Sequence, residues 1–186
     1  ITIYLVISGI PAITEIGLFD FLFGTEWAST ATEPSYGILP FILTSVYGTA
    51  GAILIGVPIG FFAAVYLSKL ANPKVKAFME GAVSLLAGIP SVVYGFFGMI
   101  VLVPFVRDYI GGSGYGILTA SILLAIMILP TVISVSESAI NAVPNSYYEG
   151  ALALGSTKEL SVFKTVVPVA KSGILAGVVL AVGRAI

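Results

Sequence analysis

The sequence contains no cysteine and no histidine. Without cysteine there are no disulfides, and so no clue to redox compartment. Without either residue the commonest metal ligands are gone, as are the usual Ser-His and Cys-His nucleophile pairs. No G-x-x-x-x-G-K-[ST] phosphate loop occurs, so the chain is not an ATPase in its own right. Charge is scarce too. Only 9% of the 186 residues are charged, with a net charge of -1, against about a quarter in a soluble domain. No basic cluster is available to grip a phosphate backbone, which argues against nucleic acid as a partner. What is there is apolar: 58% of the residues are hydrophobic and the mean hydropathy is +1.11. Such a chain needs membrane lipid around it. The expected fold class is an all-α integral membrane protein, a polytopic helical bundle in one domain over residues 1–186.

Ile1 and Ile186 both lie inside apolar runs, as in a fragment truncated at both ends. Ile1–Ile10 is too short to cross a bilayer, which takes about 20 apolar residues. Pro11–Ser35 carries Glu15, Asp20, Glu26 and Glu33 among Phe19, Phe21, Phe23 and Trp27, with no Lys or Arg, a composition suited to the headgroup layer. Tyr36–Leu67 reads as a span, and Gly56-x-x-x-Gly60 within it as a close-packing face, kinked at Pro58. Ala77–Val106 is the next span, interrupted at Gly88-Ile89-Pro90-Ser91. A mid-span break frees backbone groups, so it should face protein or water. Tyr115–Val135 is a further span, and Ala170–Ile186 begins a last one. Glu80, Asp108 and Glu137 fall at span ends and read as interfacial. Lys69, Lys74, Lys76, Lys158 and Lys164 sit in alternate loops, whereas the intervening loops hold only Arg107. Cationic loops stay in the cytoplasm, which puts Lys158 inside and Trp27 outside.

Pro144–Pro168 is a polar interruption between two apolar segments. Pro144 suits a helix start. Tyr147, Ala151 and Leu154 then line one helical face. Gly155 can take the left-handed conformation that ends this helix. Ser156 and Glu159 have capping-box spacing for a second helix, with Leu160, Phe163 and Val167 as its apolar face and Pro168 as its limit. Two short helices hinged at a glycine beside a membrane form a docking element for something outside the lipid.

This stretch resembles the loop shared by permease subunits of bacterial ABC importers, which runs E-A-A, three residues, G, nine residues, I-x-L-P. Here Glu149-Gly150-Ala151 is followed after three residues by Gly155, and after nine more by Thr165-Val166-Val167-Pro168. Gly150, Thr165 and Val167 are mild departures. The resemblance implies a fold of the MetI-like importer permease type. It also implies that residues 144–168 are a cytoplasmic coupling loop, in which Glu149, Gly150, Ala151, Gly155 and Pro168 engage an ATP-binding subunit. A second resemblance is carried by Leu86 to Gly98, LAGIPSVVYGFFG, by Gly24-Thr25-Glu26-Trp27, and by Gly183-Arg184-Ala185. These are similar to the phosphate-specific permeases, the G-T-E-W element to their C-type subunit. That family implies a heterodimer with an A-type permease subunit, two cytoplasmic ATP-binding subunits and an external phosphate-binding protein. It implies a multi-pass place in the bacterial or archaeal inner membrane. No cofactor is expected on this chain, and ATP-Mg belongs to the partner ATPase.

Ser91 and Tyr94, at the break, are candidates to line the path as neutral donors to an anion. Arg184 is the other candidate. Gly173, Gly177 and Arg184 fall at i, i+4 and i+11, one helical face. If the span starts near Ser172, Arg184 lies roughly 18 Å into a hydrocarbon layer of about 30 Å. A guanidinium there should point into the bundle, where its fork suits phosphate oxygens. An arginine snorkelling from a tilted span fits the spacing equally well. Two other functions stay open from the residues alone: an importer permease for another solute such as another oxyanion, and a channel or ion-coupled carrier. The second normally places ionisable coupling residues inside spans, and only Arg184 qualifies.

Overall fold

The computed structural model describes residues 1–186, apart from the side chain of Leu5. It divides into two compact units, Ile1–Tyr47 and Gly48–Ile186. In the first, α1 (Thr2–Ile16) runs straight through Pro11 and stops at Gly17, whose φ is +91°. The short helix α2 (Leu18–Phe23) follows. Strands β1 (Trp27–Ala28) and β2 (Ser35–Tyr36) then pair antiparallel, with Trp27 opposite Tyr36. The two rings pack edge to face, 5.7 Å apart, an arrangement favoured by the aromatic quadrupole. The segment expected as one headgroup loop is therefore folded. Helix α1 extends six residues beyond Ile10 because the stop signal is Gly17 rather than Pro11, and a minimal β-ribbon interrupts the otherwise helical chain.

The second unit is helical, and α7 (Ile117–Asn141) is its axis. Helix α3 (Leu39–Val65), prolonged by a π turn to Leu70, packs on α7 through its glycines. A Cβ on Gly60 would lie 2.8 Å from Val132 Cγ1, and one on Gly56 would lie 3.0 Å from Ile128. The small residues thus let two helix backbones approach closely, as the spacing predicts. Helix α10 (Val167–Ala185) packs on another side of α7, with Gly173 against Ala139 and Gly177 against Val135. Ala52, Ala125, Ile128, Val132, Ala181 and Ala185 form a buried cluster where the three meet.

The remaining helices are α4 (Pro73–Gly88), α5 (Ser91–Phe97) and α6 (Val103–Tyr109), with a π turn at Gly98–Leu102 between the last two. They climb antiparallel to α7. Lys76 lies beside Glu137, Val83 clusters with Ile133, and Gly98 abuts Leu123. This is one crossing broken at Ile89–Pro90, as the sequence indicates. It starts earlier than Ala77, because the Asn72 side chain accepts a bond from the Lys74 N–H, 3.1 Å, and Pro73 opens the helix. The span expected at Tyr115–Val135 also runs further. Helix α7 continues to Asn141, with Ser136 and Glu137 buried, since both face protein.

Among the described residues, four stretches are long and apolar enough to cross a membrane: Leu39–Leu70, Ser91–Tyr109, Ile117–Asn141 and Lys158–Ala185.

Candidate functional site

The docking stretch folds as two helices around Gly155. Pro144 is the N-cap of α8 (Asn145–Ala153) rather than its first residue. The Asn145 side chain accepts a hydrogen bond from Lys69 Nζ, 2.9 Å, which ties the start of α8 to the end of the α3 π turn. Gly155 has φ +87°. The Ser156 N–H reaches Ala151 O at 3.2 Å and the Gly155 N–H reaches Leu152 O at 2.9 Å, the paired bonds of a Schellman ending. A side chain at that φ is strained, so the glycine is required by backbone geometry.

The second helix starts one residue later than the capping-box spacing suggests. Thr157 is the N-cap of α9 (Lys158–Ser161), its Oγ1 accepting from the Leu160 N–H at 3.3 Å. Ser156 Oγ turns instead to Thr157 O. Nor does Pro168 end the helix. A π turn at Val162–Val166 leads directly into α10, with Pro168 in its first turn. The wider turn lets the Val167 N–H bond Val162 O, and the chain passes a residue that has no N–H to give. Docking helix and last span are thus one continuous rod from Lys158 to Ala185.

The surface of this element is apolar with charges set in it. Tyr147, Leu154, Leu160 and Phe163 are exposed, Leu154 to 91%. Glu149, Gly150, Gly155 and Pro168 are exposed as well, and Ala151 is half-buried. Underneath, Tyr148 packs on a buried cluster that includes Val65, Ile140, Val162 and Val166. The element is seated on the bundle by one face and leaves the other free.

The candidate path residues are not brought together. Arg184 Nη1 donates to Thr131 Oγ1 at 3.3 Å, beside the middle of α7. This places the guanidinium at mid-span and against protein, though exposed within this chain. Ser91 is the exposed first residue of α5. Tyr94 is buried, and its hydroxyl donates to Leu86 O at 2.8 Å. Leu86 O also accepts the Ile89 N–H at 3.2 Å, so the hydroxyl is its second donor, and the Tyr94 proton is already committed. Tyr94 lines a cavity with Ile126, five residues before Thr131, and five residues turn a helix by about 140°. The break and the arginine therefore flank different sides of α7.

Sequence reasoning missed one pair. Lys76 Nζ lies 3.1 Å from Glu137 Oε1, and Glu137 is 8% exposed. Lys76 lies in the first turn of α4, and Glu80 Oε1, one turn further on, is 3.6 Å from the same ammonium. Opposite charges at the same end of two adjacent spans were the available signal.

Comparison with known proteins matches this geometry to one family. The family described as "Binding-protein-dependent transport system inner membrane component" matches residues 56–186. A probable ABC transporter permease protein, YqgH of Bacillus subtilis (strain 168), is 39% identical over 188 residues, covering 100% of this chain and 61% of that protein. Phosphate transport system permease protein PstC of Mesorhizobium japonicum is 36% identical, covering 90% of this chain and 57% of its own length. The chain spans about three fifths of the length of these curated relatives. A solved inward-facing MetNI methionine ABC transporter shares the fold, with a TM-score of 0.62 at 21% identity over 80% of this chain and 68% of its own. The resemblance to importer permeases, read first from the spacing around Gly155, is borne out. With a matching family over the whole helical unit from Gly56 onward, the chain belongs to the inner membrane components of binding-protein-dependent transport systems.

Proposed function

We propose that this chain is the membrane part of a permease subunit of an ATP-driven phosphate importer. The observation that carries the transport reading is the docking element, a glycine-hinged helix pair with exposed Tyr147, Leu154, Leu160 and Phe163. An apolar patch rimmed by Glu149, Lys158 and Lys164 suits a protein cleft better than lipid headgroups or bulk water. The element is the cytoplasmic coupling loop. It seats in an ATP-binding subunit, which holds the ATP-Mg and hydrolyses it. Two such subunits, an A-type permease subunit and an external phosphate-binding protein complete the importer.

The choice of phosphate rests on similarity to PstC proteins, supported by Arg184 at mid-span. The guanidinium offers N–H donors in a planar fork that fits a tetrahedral oxyanion, and its Thr131 partner is neutral and easily exchanged. Phosphate passes inward by alternating access, with Arg184 as the contact contributed by this subunit and Ser91 as a further polar group at the break. Tyr94 serves the path indirectly, by holding the break in shape.

The test is reconstitution of the full-length subunit with its A-type partner, the ATP-binding subunits and the binding protein in proteoliposomes. ATP-dependent uptake of phosphate, with little uptake of sulfate or molybdate, is the expected result. Uptake of another oxyanion in preference would keep the importer and change its solute. Uptake driven by an ion gradient without ATP would remove the proposal.

A further inference from the structure

Three observations converge at one end of α7. Among the described residues, Lys76–Glu137 is the only ion pair that joins two helices. Glu137 lies four residues, about 6 Å, from the end of α7, and only Ala142, Val143 and Pro144 separate that end from docking helix α8. On the other partner, Lys76 sits at the start of α4, whose far end is the break at Ile89–Pro90. Further along, Val83 of α4 packs on Ile133 of α7, with Leu67 of the α3 π turn beside them. Apolar packing is non-directional, so it permits sliding. An ion pair between the largely buried Glu137 and the part-exposed Lys76 is directional, because separating it leaves the Glu137 carboxylate without its ammonium.

The pair also has somewhere to go. Glu80 Oε1 lies 3.6 Å from the same Lys76 Nζ, one turn along α4. Beside the pair is a cavity of about 370 Å³ lined by Glu80, Ser84, Ser134, Glu137, Ser138 and Asn141. Water in this polar space can solvate Glu137 when the ammonium leaves it. Lys76 therefore has two carboxylates within reach, one on α7 and one on its own helix, and can exchange them without losing a counter-charge.

We propose that Lys76 and Glu137 are positioning residues that carry movement of the docking element to the broken crossing, with Lys76 passing between Glu137 and Glu80 as α4 and α7 shift. This rests on the coupling-loop reading above. Docked on its partner, α8 moves the end of α7. While Lys76 holds Glu137, that movement is transmitted to α4 and to the hinge at Ile89–Pro90. When Lys76 transfers to Glu80, α4 is released.

The test uses the full complex in proteoliposomes and reads phosphate uptake and ATP hydrolysis together. Glu137→Gln should lower the phosphate moved per ATP about fivefold or more, the low end of coupling between distant sites, while hydrolysis continues. The exchange Lys76→Glu with Glu137→Lys should restore most of the ratio. An unchanged ratio in Glu137→Gln, at normal membrane levels, overturns the proposal. So does a loss that the exchange fails to rescue, which would mark the pair as structural only. A second readout needs no transported solute. A nitroxide on Val92→Cys, at the break in this cysteine-free chain, should change mobility when the ATP-binding subunits and nucleotide are added. Glu137→Gln should abolish that change. If the parent complex moves no phosphate yet the spin-label response survives in Glu137→Gln, both the phosphate reading and this proposal fail. If the response is abolished, the phosphate reading alone fails.

Discussion

At the scale of single residues, the decisive positions are those whose geometry admits one side chain. Gly155 is one: its φ of +87° costs an L-residue about 1–2 kcal/mol, and a β-branched residue more. Gly155→Val should leave the subunit inserted but uncoupled, seen as membrane levels near normal with ATP-driven uptake lost. Normal uptake would remove the hinge from the coupling element. Tyr94 is the opposite kind of residue, because its role rests on one hydroxyl. Tyr94→Phe removes the 2.8 Å bond to Leu86 O, which keeps the Ile89 N–H at 3.2 Å, so the loss is that of one hydrogen bond, about 0.5–1.5 kcal/mol. The melting midpoint should fall by about 2–4 °C for each kcal/mol lost, with the phosphate concentration for half-maximal uptake unchanged. A large rise in that concentration, with no change in melting, would return Tyr94 to the path. Arg184 is bonded to neutral Thr131. Arg184→Gln should abolish phosphate uptake with assembly intact, and Arg184→Lys should keep part of it, since an ammonium retains the charge and loses the fork. Full uptake by Arg184→Gln would end its path role.

At the scale of elements, the chain uses a π turn three times and solves one problem with it twice. A π turn precedes a proline at Tyr66–Leu70 before Pro73, at Gly98–Leu102 before Pro104, and at Val162–Val166 before Pro168. In the last two the widened turn ends where the proline would otherwise leave a carbonyl unmatched. This is why helix length was the least legible feature of the sequence. Apolar periodicity gives α3, α7 and α10, and turn chemistry gives the hinge at Gly155. An i→i+5 bond leaves no mark in composition, so Pro168 reads as a terminus when it lies inside a rod. Capping misled by one residue for a related reason: Ser156 and Thr157 are adjacent hydroxyls, and only the backbone decides which one faces the helix N–H groups. The glycines of α3 separate packing from flexibility. Gly60→Ala places a methyl 2.8 Å from Val132 Cγ1 and should destabilise by about 1–3 kcal/mol as an overpacked contact. Gly81→Ala on α4, where nothing lies within 4 Å, should be neutral or stabilising by up to about 1 kcal/mol. Thermal unfolding of the two purified variants gives the comparison, and equal shifts would mean that the α3–α7 contact is not close-packed.

At the largest scale, the helical unit Gly48–Ile186 is laid out around a central helix with different work on its several sides. Helix α3 meets α7 through glycine, α4 through apolar residues and one ion pair, and α10 through Gly173 and Gly177. Arg184 and the break lie about 140° apart around α7. They do not come to one cavity in this chain, so under the proposed importer the facing permease subunit completes the path, which is why one sequence does not reveal it. What the sequence does carry is orientation. The six lysines fall at one end of the crossings: Lys69 in the π turn after α3, Lys74 and Lys76 in the first turn of α4, Lys158 and Lys164 in the docking element and Lys171 in the first turns of α10, whereas the loop between α6 and α7 holds no lysine. Within the helical unit, α7 is 25 residues long, about 37 Å at 1.5 Å per residue, enough to put its two ends on opposite sides of a 30 Å hydrocarbon layer. Ser113 lies just before its start and Lys158 beyond its end, in the docking element. The cationic-loop rule predicts that Lys158 faces the cytoplasm. Single cysteines at Ser113 and Lys158 are unique reporters in a chain without cysteine. An impermeant maleimide added to intact cells should modify the first and spare the second until the membrane is opened. Trp27→Cys, in the acidic segment, should behave like Ser113→Cys. Modification of Lys158→Cys from outside would invert the molecule and put the docking element out of reach of any cytoplasmic ATPase. Modification of both Ser113→Cys and Lys158→Cys from outside would mean that α7 does not cross at all.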